Sequence, residues 1–248
     1  MIPIAKPFLG AEEVELASQA ILSGWVTQGP RVKDFEDQFS HYVGTSHACA
    51  VSSCTTALHL ALLAIGVKPG DVVITVSHSF IATANSVRYC FAEPVFVDVE
   101  KDGFNISPES LKRFLEEECE KKQGGLYYKK VDLLVSSESP LQELAARSKR
   151  KLGRVAGILV VHQLGFPCQM NRVLEIAKGF GVPVVEDAAY AVGSEIASRA
   201  GVFEKIGKPH GDIACFSFHP RKMLVTGEGG MLTTNNSAYD QLFRLLRH

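Results

Sequence analysis

The sequence predicts an α/β protein built on a doubly wound, mostly parallel sheet, and three observations predict it. Five short runs, VVITV, PVFVDV, VAGILVV, VPVVE and IACFSF, are rich in β-branched residues and apolar on both faces, as strands covered by helices on both sides must be. Helical patterns over residues 80–90, 108–121 and 171–180 separate most of them. Turn residues bound each run, so the alternation reads as strand and crossover helix repeated along one sheet.

Taken in order, residues 11–23 (AEEVELASQAILS) and 32–43 (VKDFEDQFSHYV) carry apolar side chains at helical spacing, with acids crowding the first turn. SGWVTQGP between them is a loop punctuated by Gly and Pro. HACAVSS leads into TTALHLALLAIG, an apolar helix closed by Gly66. Residues 122–153 interrupt the regular pattern with mixed charge, a Ser-rich turn and the basic run Lys149, Arg150, Lys151. They read as a solvated surface insertion, since charge runs are mostly exposed faces, or as a partner-binding lobe. SAYDQLFRLLRH starts a helix and stops with no capping glycine or polar tail, which reads as a chain cut short. There is no internal repeat.

Composition narrows the function. Hydrophobic residues make up 46% and charged residues 21% of the 248, an ordinary globular balance. A net charge of −1 gives no field for a polyanion, so nucleic acid is not an expected partner. No apolar run reaches the ~18 residues a bilayer span needs, and MIPIAKPFLGAEE lacks the features of a secretory signal. The six cysteines, at 49, 54, 90, 119, 168 and 215, show no CxxC spacing and sit in apolar settings. They read as buried reduced thiols of a cytoplasmic protein. None of the eight histidines pairs with another histidine or a cysteine at ligand spacing, so no metal is expected.

Four elements carry chemistry. Lys222 follows the buried strand IACFSF and precedes the glycine-rich TGEGG. It is either a solvated surface lysine or a reactive amine, because an amine held near apolar walls has its pKa lowered and condenses readily with aldehydes. Asp187 ends the apolar VPVVED, where a carboxylate is costly unless paired. It is either the cap of the next turn or the partner of a protonated ring nitrogen. Ser52, Ser53, Thr55 and Thr56 crowd the amino end of an apolar helix, more hydroxyls than capping requires, at a place suited to a phosphate. Ser217 could add another hydroxyl, and Phe80, after VVITV, is either core or a stacking platform for a flat heterocycle. Ligands of open α/β sheets bind at the carboxyl edge, where all four would converge. Amine, acid, anion site and ring platform together are the parts that pyridoxal 5′-phosphate requires.

The ordered motifs AKPFLG, SGWVTQGP, AVSSCTTALHLALLAIGVKPGDVVI, SFIATANSVRYC, AEPVFVDV, VHQLGFP, VVEDAAYAVGS, GDIACFSFHPRK and TGEGGM resemble the DegT-type sugar aminotransferases, fold-type-I pyridoxal-phosphate enzymes. The resemblance implies a seven-stranded large domain spanning residues 1–248, including the N-terminal segment, with the small C-terminal domain absent, and a homodimer with shared active sites near SGWVTQGP. It implies that Lys222 forms the imine with the cofactor, Asp187 faces the pyridine nitrogen and Phe80 stacks on the ring. Thr55, Ser217 and the Cys54 amide then form the phosphate cradle, and Tyr190 falls where the family often has Gln or His near the ring hydroxyl. The implied reaction moves an amino group from a donor, glutamate, to a keto group of a nucleotide-linked sugar. A related branch dehydrates sugars with His in place of the lysine; Lys222 disfavours that reading. A non-catalytic remnant that keeps the fold is the rival from another class. The sequence departs from the family pattern in the long 122–153 stretch, in Phe91 for a small residue and in Asn171 for an Asp.

Overall fold

All five predicted apolar runs become strands; four bury both of their faces, and the fifth, Glu93–Val97 at the sheet edge, buries one and leaves Phe96 exposed. In a computed structural model describing residues 5–122, 124–135, 151–199 and 201–248, they are β2 (Val72–Val76), β3 (Glu93–Val97), β6 (Val155–Val161), β7 (Val184–Asp187) and β10 (Ile213–Ser217). Two further strands, β1 (His47–Val51) and β11 (Gly230–Thr234), complete a seven-stranded sheet in the order β1-β11-β10-β7-β6-β2-β3. Strands β10, β7, β6, β2 and β3 pair in parallel, and β11 is antiparallel to both of its neighbours, β1 and β10. This is the mostly parallel α/β sheet the sequence predicts.

Alternate side chains sort to the two faces of the sheet. On one, Val72, Ile74, Ile158, Val160 and Val184 pack into a cluster with Leu111 of α5 (Pro108–Arg113) and Val173 of α7 (Met170–Phe180). The same face continues as Ala48, Ala214, Phe216 and Met231 against Phe39 and Val43 of α2 (Pro30–Val43). On the other, Val73, Leu159, Val185, Ile213, Cys215 and Leu232 meet α3 (Cys54–Ala64) and Phe243 of α8 (Ser237–Leu246). Helix α4 (Ala82–Tyr89) packs beside α3 through Val87. The edge at β1 is tied by a buried carboxylate: Glu36 of α2 accepts from Arg244 at 2.9 Å, from Arg247 at 2.5 Å and from the Ala50 amide at 2.9 Å.

Two predicted features come out differently. The helix expected over 108–121 is α only to Arg113; one π turn over Phe114–Glu118 follows, and the chain becomes strand β4 (Cys119–Lys122). The described part of the 122–153 stretch is not solvated throughout. Strand β5 (Gly125–Tyr128) pairs with β4, Leu126 and Tyr127 are buried, and Tyr128 stacks on Phe114 with centroids 5.4 Å apart. A short helix, α6 (Val131–Val135), follows, while Lys149 and Arg150 lie outside the described residues. Phe91, in place of a small residue, takes φ +54°, a conformation costly for a bulky side chain. Helix α1 (Ala11–Leu22) buries none of its residues, and Phe8, Val14, Ile21, Trp25 and Val26 are exposed. Among the described residues no helix is long and apolar enough to cross a membrane, and all six cysteines are buried.

Candidate active site

Parallel strands deliver their last residues to one edge, and there a cavity of about 300 Å3 opens between β2, β6, β7, β10 and the start of α3. It is lined by Ser53, Cys54, Thr55, Phe80, Asp187, Tyr190, Ser217 and Lys222 of the residues singled out from the sequence; Ser52 and Thr56 of the hydroxyl cluster are not among its lining.

The end suited to an anion is made by the amino terminus of α3. Ser53 caps the helix, its side chain accepting from the Thr56 amide at 3.1 Å. The amides of Cys54 and Thr55, the first two of the helix, have no carbonyl a turn below them. Of the four hydroxyls, Ser52 and Ser53 each bond to that of Thr56, at 3.0 and 3.1 Å, which leaves Thr55 to the cavity. The Cys54 side chain is not a nucleophile: burial, then the Asp187 carboxylate, push its thiol pKa well up, and its Sγ contacts the Cys215 carbonyl at 3.7 Å. The peptide joining Ser53 to Cys54 lies against Gly230, where a Cβ would stand 2.4 Å from the Ser53 carbonyl carbon. Glycine is needed there for close approach.

Its acidic side is Asp187, at the end of β7 and buried. Its Oδ2 accepts from the Thr83 hydroxyl at 2.8 Å and its Oδ1 from the Ala189 amide at 3.2 Å. Thr83 in turn meets Ser79 at 2.6 Å. Burial raises the Asp187 pKa; the two hydrogen bonds and the charge of Lys222 pull it back. Behind it, the fully buried His162 and Glu186 meet at 3.0 Å. The Cys168 amide donates to His162 Nδ1, so the ring proton sits on Nε2, facing Glu186, which also accepts from the Gly211 amide at 2.6 Å.

Lys222 lies in the β10–β11 connection, its amide bonded to the His219 carbonyl at 2.8 Å. Gly227 in the same connection takes φ +88°, the left-handed turn that the TGEGG run permits. The Lys222 Nζ rests over the Tyr190 ring, 3.1 Å from its centroid. Phe80 stands at the mouth, 77% exposed. Thr83, Ser79, His162, Gln163, His219, Arg221 and Glu228 also line the cavity and were not singled out from the sequence. Thr83 had a signal, since it lies one helical turn beyond Phe80.

An amine, a buried carboxylate and a helix amino end around one cleft at the carboxyl edge of a mostly parallel sheet define an α/β fold of the fold-type-I aminotransferase class. Residues 7–123 and 139–248 match the DegT/DnrJ/EryC1/StrS aminotransferase family, and the chain belongs to it. It is 36% identical over 245 residues to the spore coat polysaccharide biosynthesis protein SpsC of Bacillus subtilis, covering 99% of this chain and 52% of that protein. It is 36% identical over 247 residues to the GDP-perosamine synthase of Caulobacter vibrioides, covering 99% and 55%. The crystal structure of the aminotransferase TlmJ from Streptoalloteichus hindustanus superposes with a TM-score of 0.75 at 29% identity, covering 99% of this chain and 56% of that one. The chain spans about half the length of the curated relatives it matches.

Proposed function

We propose that this chain carries the catalytic half-site of a pyridoxal-phosphate aminotransferase. On this reading it passes an amino group from an amino acid, glutamate, to the keto group of a nucleotide-linked sugar. One observation carries this: Lys222, Asp187 and the free amides of α3 line the same cavity. The residues suit the cofactor's three handles, with amides and hydroxyls at one end for a phosphate, a buried carboxylate for a ring nitrogen and an amine for an aldehyde.

Bound there, pyridoxal phosphate supplies an aldehyde that condenses with amines and a ring that takes up electron density. The residues of the chain do the rest. The Cys54 and Thr55 amides, with the Thr55 and Ser217 hydroxyls, hold the phosphate. Asp187 holds a proton at the ring nitrogen, and its bonds from Thr83 and Ala189 fix its direction. The Tyr190 hydroxyl binds the ring hydroxyl, and Phe80 covers the open face and excludes water. Lys222 Nζ would serve as the general base for the donor's α-carbon proton and then as the general acid. The same residues would serve the sugar substrate in the opposite direction.

A cytoplasmic homodimer completes the reading. The dimer is supported by the exposed apolar residues Phe8, Trp25 and Val26 of the N-terminal segment and by Leu164 and Phe166 beside the site, side chains that a partner surface would cover. The test is the Lys222→Ala variant. Wild-type protein mixed with the cofactor should develop the visible imine band and release one equivalent of 2-oxo acid from glutamate; the variant should do neither. An unchanged band in the variant refutes the assignment.

A further inference from the structure

Lys222 does not hang loose in the cavity. Its Nζ sits over the Tyr190 ring at 3.1 Å from the centroid, and among the described residues no carboxylate forms an ion pair with it. Of the two acids that line its cavity, Asp187 is already engaged by Thr83 and Ala189, and Glu228 faces His219 at 3.9 Å. The backbone that carries the ring is fixed. Tyr190 follows β7 in the turn closed by the Ala191 amide on the Ala188 carbonyl at 2.9 Å. The Tyr190 carbonyl lies so near Gly165 that a Cβ there would stand 2.9 Å from it. A cation over a tyrosine face is attracted by the ring quadrupole, and the attraction grows as water is excluded. A neutral amine has no such attraction.

We propose that Tyr190 is a docking platform for the Lys222 ammonium in the cofactor-free protein, and that lifting the ammonium off this ring limits cofactor capture. The inference rests on the pyridoxal-phosphate reading, and it makes Tyr190 a positioning residue through its ring as well as a partner through its hydroxyl. Capture then runs in order. The ammonium leaves the ring and gives one proton to solvent. The freed nitrogen forms a bond to the aldehyde carbon, and the aldehyde oxygen departs as water with the two remaining amine protons.

Two variants separate ring from hydroxyl. Tyr190→Phe keeps the aromatic face; Tyr190→Leu removes it while keeping an apolar side chain. In the cofactor-free protein, the ε-methylene protons of Lys222, assigned by comparison with Lys222→Ala, should lie upfield under the ring current in wild type and Tyr190→Phe. They should return to the ordinary lysine position in Tyr190→Leu. In stopped-flow mixing with pyridoxal phosphate, Tyr190→Leu should condense about fivefold faster than Tyr190→Phe, the scale of one cation–π contact; both lack the hydroxyl that contacts the cofactor, so the pair isolates the ring. An unshifted Lys222 signal in wild type, or one rate for the two variants, overturns the role of Tyr190 alone. No visible band in any of them overturns the cofactor reading on which it rests.

Discussion

Gly230→Ala tests how the phosphate end of the site is built. The added Cβ would lie 2.4 Å from the Ser53 carbonyl carbon, 2.5 Å from its oxygen and 2.6 Å from the Cys54 nitrogen. Ordinary contact begins near 3.4 Å, so something must move by about 1 Å. Strand β11 cannot retreat, because Gly230 is paired on both sides, with Val51 of β1 and Ser217 of β10. The Ser53–Cys54 peptide must therefore give way, carrying the Cys54 amide with it. Overpacking of this kind costs about 1–3 kcal/mol of stability. A displacement of 1 Å also breaks one amide hydrogen bond to a phosphate, a charged-partner bond of about 1.5–3 kcal/mol, or roughly 10- to 150-fold in affinity. Urea denaturation reads the first quantity and absorbance titration with pyridoxal phosphate the second. A variant that is measurably destabilised yet binds the cofactor within threefold of wild type would refute the proposed cradle.

Two further predictions concern charge. Burial raises the Asp187 pKa, so the folded protein holds that proton more tightly than the unfolded chain does. The stability this confers is present at low pH and is lost as pH rises from the ordinary carboxyl range through the raised value. Asp187→Asn can keep both hydrogen bonds, because Thr83 can turn its proton toward Ser79. Without cofactor, it should therefore be more stable than wild type near pH 7.5, on the order of 1 kcal/mol, with the gap closing toward pH 4. A gap that widens toward pH 4 in paired urea melts contradicts the assigned sign. Glu36→Ala leaves Arg244, Arg247 and the Ala50 amide without their shared acceptor. It should cost about 3 kcal/mol, the low end for a broken buried pair because Arg244 keeps a third of its side chain in water. A loss under 1 kcal/mol in chemical denaturation would show that water replaces the carboxylate.

The parts of this fold legible in the sequence are those where burial alone decides the residue type. VVITV and VAGILVV could be read as strands because they are apolar between two helical layers save Thr75, whose hydroxyl is taken up by the Leu159 carbonyl at 2.8 Å. Strand β11 escaped because GMLTT ends in two buried threonines whose hydroxyls bond to the Ala214 and Asp212 carbonyls, and a local pattern cannot show such partners. The helix over 108–121 was overextended because its apolar spacing continues into Leu115 and Cys119, whereas pairing with β5 decides where the strand begins. At the site, Lys222, Asp187, Phe80 and the hydroxyl cluster were legible because each sits at a strand end or helix start that the sequence marks. His162 and Glu186 were not, since their meeting depends on the register that sets Val161 beside Asp187. Tyr190 was legible as a site residue, but the seating of Lys222 on its ring is a fact of three dimensions.

Lys222, the amine proposed to meet the aldehyde, and Gly230, which braces the proposed phosphate loop, belong to a single β-hairpin, one in its connection and the other at the start of its return strand. A breathing motion that unzipped this hairpin would dismantle both ends of the proposed site in one event. Damage there should therefore show itself as a fraction of molecules fully inactive beside a fraction fully competent, not as a uniform weakening of every molecule.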